Sequence, residues 1–282
     1  MTAKLEKFGS YTLNPLMKLI RQKALASCTP TSTKSGYARF LRHWSEVVQG
    51  VYDIDYDSIK LRVYPADNAC DNSILRSGIH REEDELAILR TFTKPNQIFV
   101  DIGANIGIYS LIADKFLGED SKIFAFEPFP DTFKKLQFNI NANNTDRILA
   151  FNFGIADKDK TEQLFLISGR NAGQHSTNKQ VALRSHSKNE KPVEINVRPL
   201  AKILQEQQIN KVNILKMDIE GSEDKALLPY MNATERTAWP DYIMLEVGNR
   251  KLWSEDCVNH LLSNNYEIAF ENGENMHFRS TL

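Results

Sequence analysis

Cysteine is scarce in this chain. Cys28, Cys70 and Cys257 are the three among 282 residues, and no two of them form a Cys-x-x-Cys pair. An odd, scattered set argues against a disulfide framework and a cysteine-rich zinc site, and favours a reducing, cytoplasmic setting. The six histidines are dispersed and no His-x-x-x-His occurs, so a zinc site of that kind is not expected either. No apolar run approaches the ~20 residues of a transmembrane helix. The N-terminus lacks the apolar stretch and small-residue cleavage site of a secretory signal. Charge of one sign is also missing: 35 Lys and Arg stand against 36 Asp and Glu, a net of −1. Nothing global therefore calls for a nucleic-acid partner. There is no internal repeat and no low-complexity tract. What remains is an ordinary globular composition, 41% hydrophobic and 25% charged, long enough to bury a core without covalent staples.

The first 77 residues show weak periodicity and read as a helical N-terminal extension. Leu13, Leu16, Met17, Ile20 and Leu25 suggest one helix with a basic face, and Phe40, Leu41, Trp44 and Val48 a second over 37–48. Residues 28–36 read as a loop, and Lys60 to Tyr64 as a short strand. A basic amphipathic helix packs on its own domain more often than it meets a membrane surface.

From Gly78 to residue 282 the pattern becomes regular and reads as a second domain. Glu82-Glu83-Asp84-Glu85 opens a helix, with acids where the helix dipole is positive. Strands are expected at 98–100, 122–126, 148–153, 163–167, 193–197, 212–217 and 242–247. Helices are expected from Ile108 to about Leu117, around Phe133 to Ile140, over 200–207, through Leu228 and from Ser254 through Leu262. Tyr266 to Phe270 and Met276 to Phe278 flank Gly273 like a hairpin. Alternating strands and helices predict an α/β fold with a mainly parallel sheet. Ligands in such sheets bind beyond the carboxyl ends of the strands, so the residues just after each strand carry the functional argument.

The first strand ends in Asp101-Ile102-Gly103-Ala104-Asn105-Ile106-Gly107. The spacing is Gly-x-x-x-Gly, not the Gly-x-Gly-x-x-Gly of dinucleotide enzymes. It offers little to cradle a pyrophosphate, but it suits a sulfonium nucleoside with an amino-acid tail. Asp101 would then face the ligand's ammonium, and Gly103 and Gly107 would leave room for its chain. The plain alternative is a tight strand-to-helix turn. Glu127 ends the second strand, twenty positions beyond Gly107, where a carboxylate accepts hydrogen bonds from ribose hydroxyls. Asp157 follows the third strand and could accept from an adenine amino group. Asp157-Lys158-Asp159-Lys160 is equally an ordinary charged turn.

The fourth strand ends in Lys216-Met217-Asp218-Ile219-Glu220-Gly221-Ser222-Glu223. Acids here could deprotonate or hold a substrate hydroxyl, or steady a sulfonium. For Glu220 and Glu223 the plain reading is helix-dipole stabilisation, worth under ~1 kcal/mol; Asp218 is not covered by it as easily. Glu246 adds a carboxylate at the end of the fifth strand. Asp218, Glu246 and Asn249 together could offer oxygens to Mg²⁺, but a polar hydrogen-bonding rim is the better reading, and no metal is expected. Residues 168–191 are polar and long for a loop, as lids and disordered segments are. His175 within them is the best-placed histidine for general-base work.

Taken together, Val100 to Gly107, Phe126-Glu127-Pro128, Ala156-Asp157, Leu215 to Gly221 and Leu245-Glu246-Val247, with Gly78 and Glu82, resemble the FkbM family of S-adenosylmethionine-dependent methyltransferases. The match runs from Gly78 to about Phe270. The resemblance implies a Rossmann-like class I methyltransferase sheet with a C-terminal antiparallel hairpin. It implies O-methylation of a hydroxyl on a sugar, glycolipid or polyketide-type acceptor. It points to Asp101, Gly103, Asn105, Gly107 and Glu127 for S-adenosylmethionine, with Asp157 near adenine. It places Asp218 and Glu220 at the reacting centre. Family members often carry a Gly/Ser-rich element near Gly173, where His175 stands here. A nucleic-acid methyltransferase is the nearest alternative, but the Asn-Pro-Pro-Tyr motif of base-methylating enzymes is absent. A non-catalytic nucleotide-binding protein of the same fold would be expected to have lost the acids.

Overall fold

In the computed structural model, residues 6–26, 33, 36, 37, 39, 40, 43, 50–167, 175–184 and 191–282 are described. The centre is β3 (Ile98–Ile102), almost wholly buried. Its apolar run fits a parallel strand covered on both faces. Phe99 points into one hydrophobic cluster, while Val100 and Ile102 point into the other. Its neighbour β4 (Lys122–Phe126) does the same, Ile123 and Ala125 against Phe124 and Phe126. This two-residue alternation makes two cores, one under each helical layer.

The other strands of the main sheet are β5 (Ile148–Phe151), β9 (Ile214–Met217), β10 (Tyr242–Glu246), β11 (Tyr266–Glu271) and β12 (Asn275–Ser280). Their order is β11-β12-β10-β9-β3-β4-β5. All pairings from β10 to β5 are parallel, and β12 is antiparallel to both β10 and β11. This is the expected Rossmann-like class I methyltransferase sheet, closed by the expected C-terminal hairpin. The chain passes from β3 to β4 on one side and later fills β9 on the other. The crevice at that reversal lies between the Asp101–Gly107 loop and Asp218.

Two parts depart from the reading of the sequence. Strands β6 (Gly154–Ile155), β7 (Lys160–Leu164) and β8 (Val193–Arg198) form a separate sheet of order β6-β8-β7. No helix separates β6 from β7, so no parallel crossover back to the main sheet is available. The N-terminal extension, in turn, is not only helical. Its helix Pro15–Leu25 is capped by Asn14, but β1 (Tyr52–Tyr56) and β2 (Ile59–Val63) make an antiparallel hairpin. Ile54, Leu61 and Val63 of the hairpin are buried in the same cluster as Leu86, Phe99 and Leu111. The helix expected over 37–48 and the loop expected over 28–36 fall largely outside the described residues. Among the described residues no helix is long and apolar enough to cross a membrane.

A buried ion pair fastens this extension. Arg62 and Asp53 side chains are each 1% exposed, with Nε 2.7 Å from Oδ1. The guanidinium also donates to the carbonyls of Glu6 and Lys7 and lies 3.7 Å over the Phe138 ring. Asp53 Oδ2 accepts from the Gly9 and Tyr11 amides. Removing one partner strands the other charge in the interior. Arg62→Met is therefore expected to lower stability by about 3–5 kcal/mol in urea unfolding. A change near zero would show that the pair does not fasten the segment.

Candidate active site

One cavity of about 640 Å³ opens at the carboxyl ends of the central strands, within the size range of small-ligand sites. Its wall includes Gly103 and Asn105 after β3, Glu127 after β4, and Asp218, Glu220 and Glu246 after β9 and β10. His175 also lines it. Asp101, Gly107 and Asp157 do not.

Gly103 stands where the two central loops touch. Its φ is +78°, and an added Cβ would meet the carbonyl oxygen of Asp218 at 2.0 Å. The amides of Gly103 and Ala104 both donate to Phe126 O, and Asp218 N donates to Ile102 O. The loop is thus stitched to both neighbouring strands. Asn105 continues it with φ 51°, a region that Asn tolerates better than most residues. Gly107 serves packing instead: it precedes the helix Ile108–Phe116, and a Cβ there would strike Leu136 Cδ1 at 2.6 Å.

Asp101 lies fully buried beneath the loop. Ser110 donates to its Oδ2 at 2.6 Å, and Oδ1 faces the Lys216 ammonium at 3.8 Å. Burial raises its pKa. Its link to the cavity runs through Lys216, which donates to Gly103 O, pairs with Asp218 at 3.4 Å and lies 5.1 Å over the Tyr109 ring. Burial works against the Lys216 charge, but Asp218, Asp101 and Glu82 outweigh it and hold the ammonium protonated. Lys216 could be seen in the sequence, but only as a cation at the end of an apolar strand.

Glu127 is buried, and its two oxygens accept from the Asn105 and Phe129 amides at 3.0 and 2.9 Å. Burial lifts its pKa to about 7 against those hydrogen bonds. Asp157 is where the plain reading put it: 45% exposed and paired with Lys160 at 2.7 Å. The side sheet lines the cavity there with Ile155, Ala156, Leu164, Ile195 and Val197, a largely apolar shelf that also includes Glu162, paired with Lys160 at 2.8 Å.

The acids after β9 and β10 play different parts. Glu223 is fully buried and accepts from the Ile219 and Gly221 amides and from Trp253 Nε1. It shapes the loop in which Glu220 and Gly221 take φ of 56° and 93°. Glu220 and Glu246 share the Asn249 amide as a donor. Burial, with Glu223, Asp218 and Glu220 close by, pushes Glu246 far above the usual carboxylate range. Its environment thus favours the protonated form. Glu220 is raised too, first by burial and then by Asp218 and Glu223.

His175 reaches the cavity, but its Nδ1 accepts from the Ile167 amide at 3.0 Å. The proton of the neutral ring then sits on Nε2, and burial lowers its pKa to about 4. This geometry does not suit a general base. Nearby, Ser176 donates to Glu220 O and Thr177 bonds Ser222 at 2.8 Å. Residues 175–184, which include the helix Lys179–Arg184, thus pack on the Asp218 loop; residues 168–174 and 185–190 lie outside the described set. Among the described residues, no three of His, Cys, Asp and Glu are placed to hold a metal ion.

One wall escaped the sequence reading. Glu82 accepts from Tyr109 OH at 2.9 Å, and His80 Nδ1 accepts from the Glu82 amide. Burial and the nearby Asp218 bring Glu82 to about 7. The sequence marked Glu82 as an acid at a helix start and as part of the family pattern, but gave it no place at the site.

The methyltransferase FkbM domain model matches residues 101–267. Methyltransferase 1 of Beauveria bassiana is 29% identical over 190 residues, 62% of this chain and 74% of that protein. The hexuronic acid methyltransferase AglP of Haloferax volcanii is 23% identical over 172 residues, and the match spans 59% of this chain and 62% of AglP. A crystal structure of methyltransferase FkbM from Methylobacillus flagellatus aligns with 94% of this chain and 58% of its own, at 18% identity and a TM-score of 0.44. With more than half of its length matched by the domain model, from Asp101 into the first strand of the C-terminal hairpin, this chain belongs to the FkbM methyltransferase family.

Proposed function

We propose that the cavity binds S-adenosylmethionine and that the enzyme transfers its methyl group to a hydroxyl oxygen of a small polyhydroxylated acceptor, a sugar or glycan. One observation carries this reading. A single cavity joins the Gly103–Asn105 loop and Glu127 to Asp218 and Glu220, so a nucleoside site and a set of proton acceptors share one space. The residues suit the cofactor. Gly103 leaves backbone exposed to it, Glu127 offers a carboxylate to its ribose, and the apolar shelf at Ile155 and Ala156 suits a purine face.

S-adenosylmethionine supplies an electrophilic methyl on a sulfonium. The chain must hold an acceptor oxygen in line and take its proton. Asp218 is placed for this: its side chain is 35% exposed, and Oδ2 faces Lys216. The other oxygen is then free to accept from the hydroxyl. Holding two reactants in line is worth up to ~7–11 kcal/mol when orientation is ideal. The hexuronic acid acceptor in the name of AglP supports a sugar-type acceptor for this chain. Residues 78–282 would form the transferase domain and 1–77 an extension, whose β1–β2 hairpin packs on it.

The ribose role of Glu127 is testable by titration. Glu127→Ala should weaken S-adenosylhomocysteine binding by about 1–3 kcal/mol. It also strips the Asn105 and Phe129 amides of their acceptor, so the melting temperature should fall as well. Unchanged affinity in the folded variant would remove Glu127 from that role.

A further inference from the structure

The sequence offers Asp101 to the ligand's ammonium, but the fold seals that carboxylate from the cavity. Asp101 is fully buried beneath the loop, with Ser110 on its Oδ2. Another acid reaches the same region from outside the matched residues 101–267. Glu82 precedes the helix Glu83–Phe92 and lines the cavity with its side chain 29% exposed. Tyr109 OH donates to its Oε2 at 2.9 Å. Its Oε1 has no hydrogen-bond partner among the described residues and is open to solvent. The carboxylate is thus oriented through one oxygen and left free at the other.

The sheet order brings the tail of a ligand to this oxygen. A purine on the shelf at Ile155 and Ala156 and a ribose at Glu127 follow the order β5-β4-β3. The rest of the molecule then runs over the loop after β3. There Lys216 bonds Gly103 O and Asp218 and lies over the ring of Tyr109, the partner of Glu82. Glu82 and Asp218 also share a small recess of about 10 Å³ beside Lys216. Charge is out of balance here, because Lys216 alone answers Asp218, Asp101 and Glu82. His80 adds none, since burial lowers its pKa to about 4. Arg81 is exposed and acts on His80 and Cys70. Burial, then Asp218 and Glu85, lift Glu82 to about 7 against Lys216 and Tyr109. A bound cation would supply the opposite charge that this wall lacks.

We propose that Glu82 is a cofactor-binding residue and that its free carboxylate oxygen holds a cationic group of S-adenosylmethionine. The cofactor carries two such groups, its ammonium and its sulfonium. This inference rests on the proposed reading that the cavity takes S-adenosylmethionine.

The test is isothermal titration of the full chain and of Glu82→Gln with three probes. S-adenosylmethionine carries both cations, S-adenosylhomocysteine the ammonium alone, and 5′-methylthioadenosine neither. Glutamine keeps an oxygen for the Tyr109 hydroxyl and removes the charge. Affinity for S-adenosylmethionine should fall about 10- to 100-fold, while that for 5′-methylthioadenosine holds. A fall for S-adenosylhomocysteine as well assigns the contact to the ammonium, and a fall confined to S-adenosylmethionine assigns it to the sulfonium. Unaltered affinity of the folded variant for S-adenosylmethionine, or a similar fall for all three probes, overturns the proposal. The pH dependence of the parent gives a second reading that needs no variant. Glu82 loses its proton near pH 7, so the ratio of S-adenosylmethionine to 5′-methylthioadenosine affinity should rise several-fold from about pH 6 to about pH 7.5. Titration of Glu127 at the ribose affects both probes and cancels in that ratio. A flat ratio would also overturn the proposal. A parent protein that binds none of the probes would instead overturn the reading of the cavity itself.

Discussion

Asp218→Asn is expected to lower turnover by about 10²–10⁴-fold while leaving S-adenosylhomocysteine affinity close to that of the parent. The substitution is nearly isosteric, so the loop it belongs to should survive. Asp218 N still donates to Ile102 O, and Glu223 still binds the Ile219 and Gly221 amides. Lys216 keeps Asp101 and Gly103 O as partners. What disappears is a proton acceptor at the reacting centre. The other acids replace it poorly, because burial and neighbouring acids push Glu246 toward its protonated form and Glu223 spends its oxygens on backbone amides and Trp253 Nε1. His175 is turned the wrong way, with Nδ1 occupied by Ile167. Single-turnover transfer from labelled S-adenosylmethionine, alongside a melting curve, separates the outcomes. Reduced stability with normal turnover per folded molecule would make Asp218 structural. Chelator-sensitive activity in the parent, with partial recovery of the variant in Mg²⁺, would make it a metal ligand.

Gly103→Val should abolish cofactor binding. A β-branched residue resists φ of +78°, and any Cβ there would collide with the Asp218 carbonyl at 2.0 Å. That atom is backbone and cannot swing aside. The cofactor loop would have to part from the Asp218 loop, and both halves of the cavity would shift. The expected titration shows no heat for S-adenosylhomocysteine, and the melting temperature drops. Gly273→Ala is the matched control. Gly273 has φ of +88° but open space around its Cβ position, so only backbone strain of about 1–3 kcal/mol is at stake, and binding should persist. Normal binding by folded Gly103→Val would mean the ligand approaches elsewhere.

The parts of this account that the sequence revealed are those in which local chemistry is unambiguous. A short apolar strand that ends in Asp-Ile-Gly-Ala-Asn-Ile-Gly must turn sharply, and an acid at the next strand end has few structural reasons to be there. Both lie in the cavity, through Gly103, Asn105 and Glu127. Asp157 shows the limit of that argument: its neighbour Lys160 gives it a sufficient reason to be where it is, and it does not line the cavity. Protonation was not legible at all. Glu246 reads as one more carboxylate, and only its burial in the fold, with Glu223, Asp218 and Glu220 close by, raises its pKa. Of the N-terminal hairpin, β2 was legible in the alternation over Lys60 to Tyr64, but β1 was hidden for a related reason. Asp53 and Arg62 break the apolar pattern as single residues, and only their pairing lets both be buried. The meeting of Glu82 with Tyr109 and Asp218 depends on packing between distant segments, which neither periodicity nor spacing reports.

The central claim is that this one cavity holds S-adenosylmethionine, and isothermal titration of the full chain with S-adenosylhomocysteine tests it most directly. The account predicts saturable binding at one site per chain, weakened by Glu127→Ala and absent in Gly103→Val. A folded parent protein that shows no saturable binding, or binding that neither substitution alters, would contradict it.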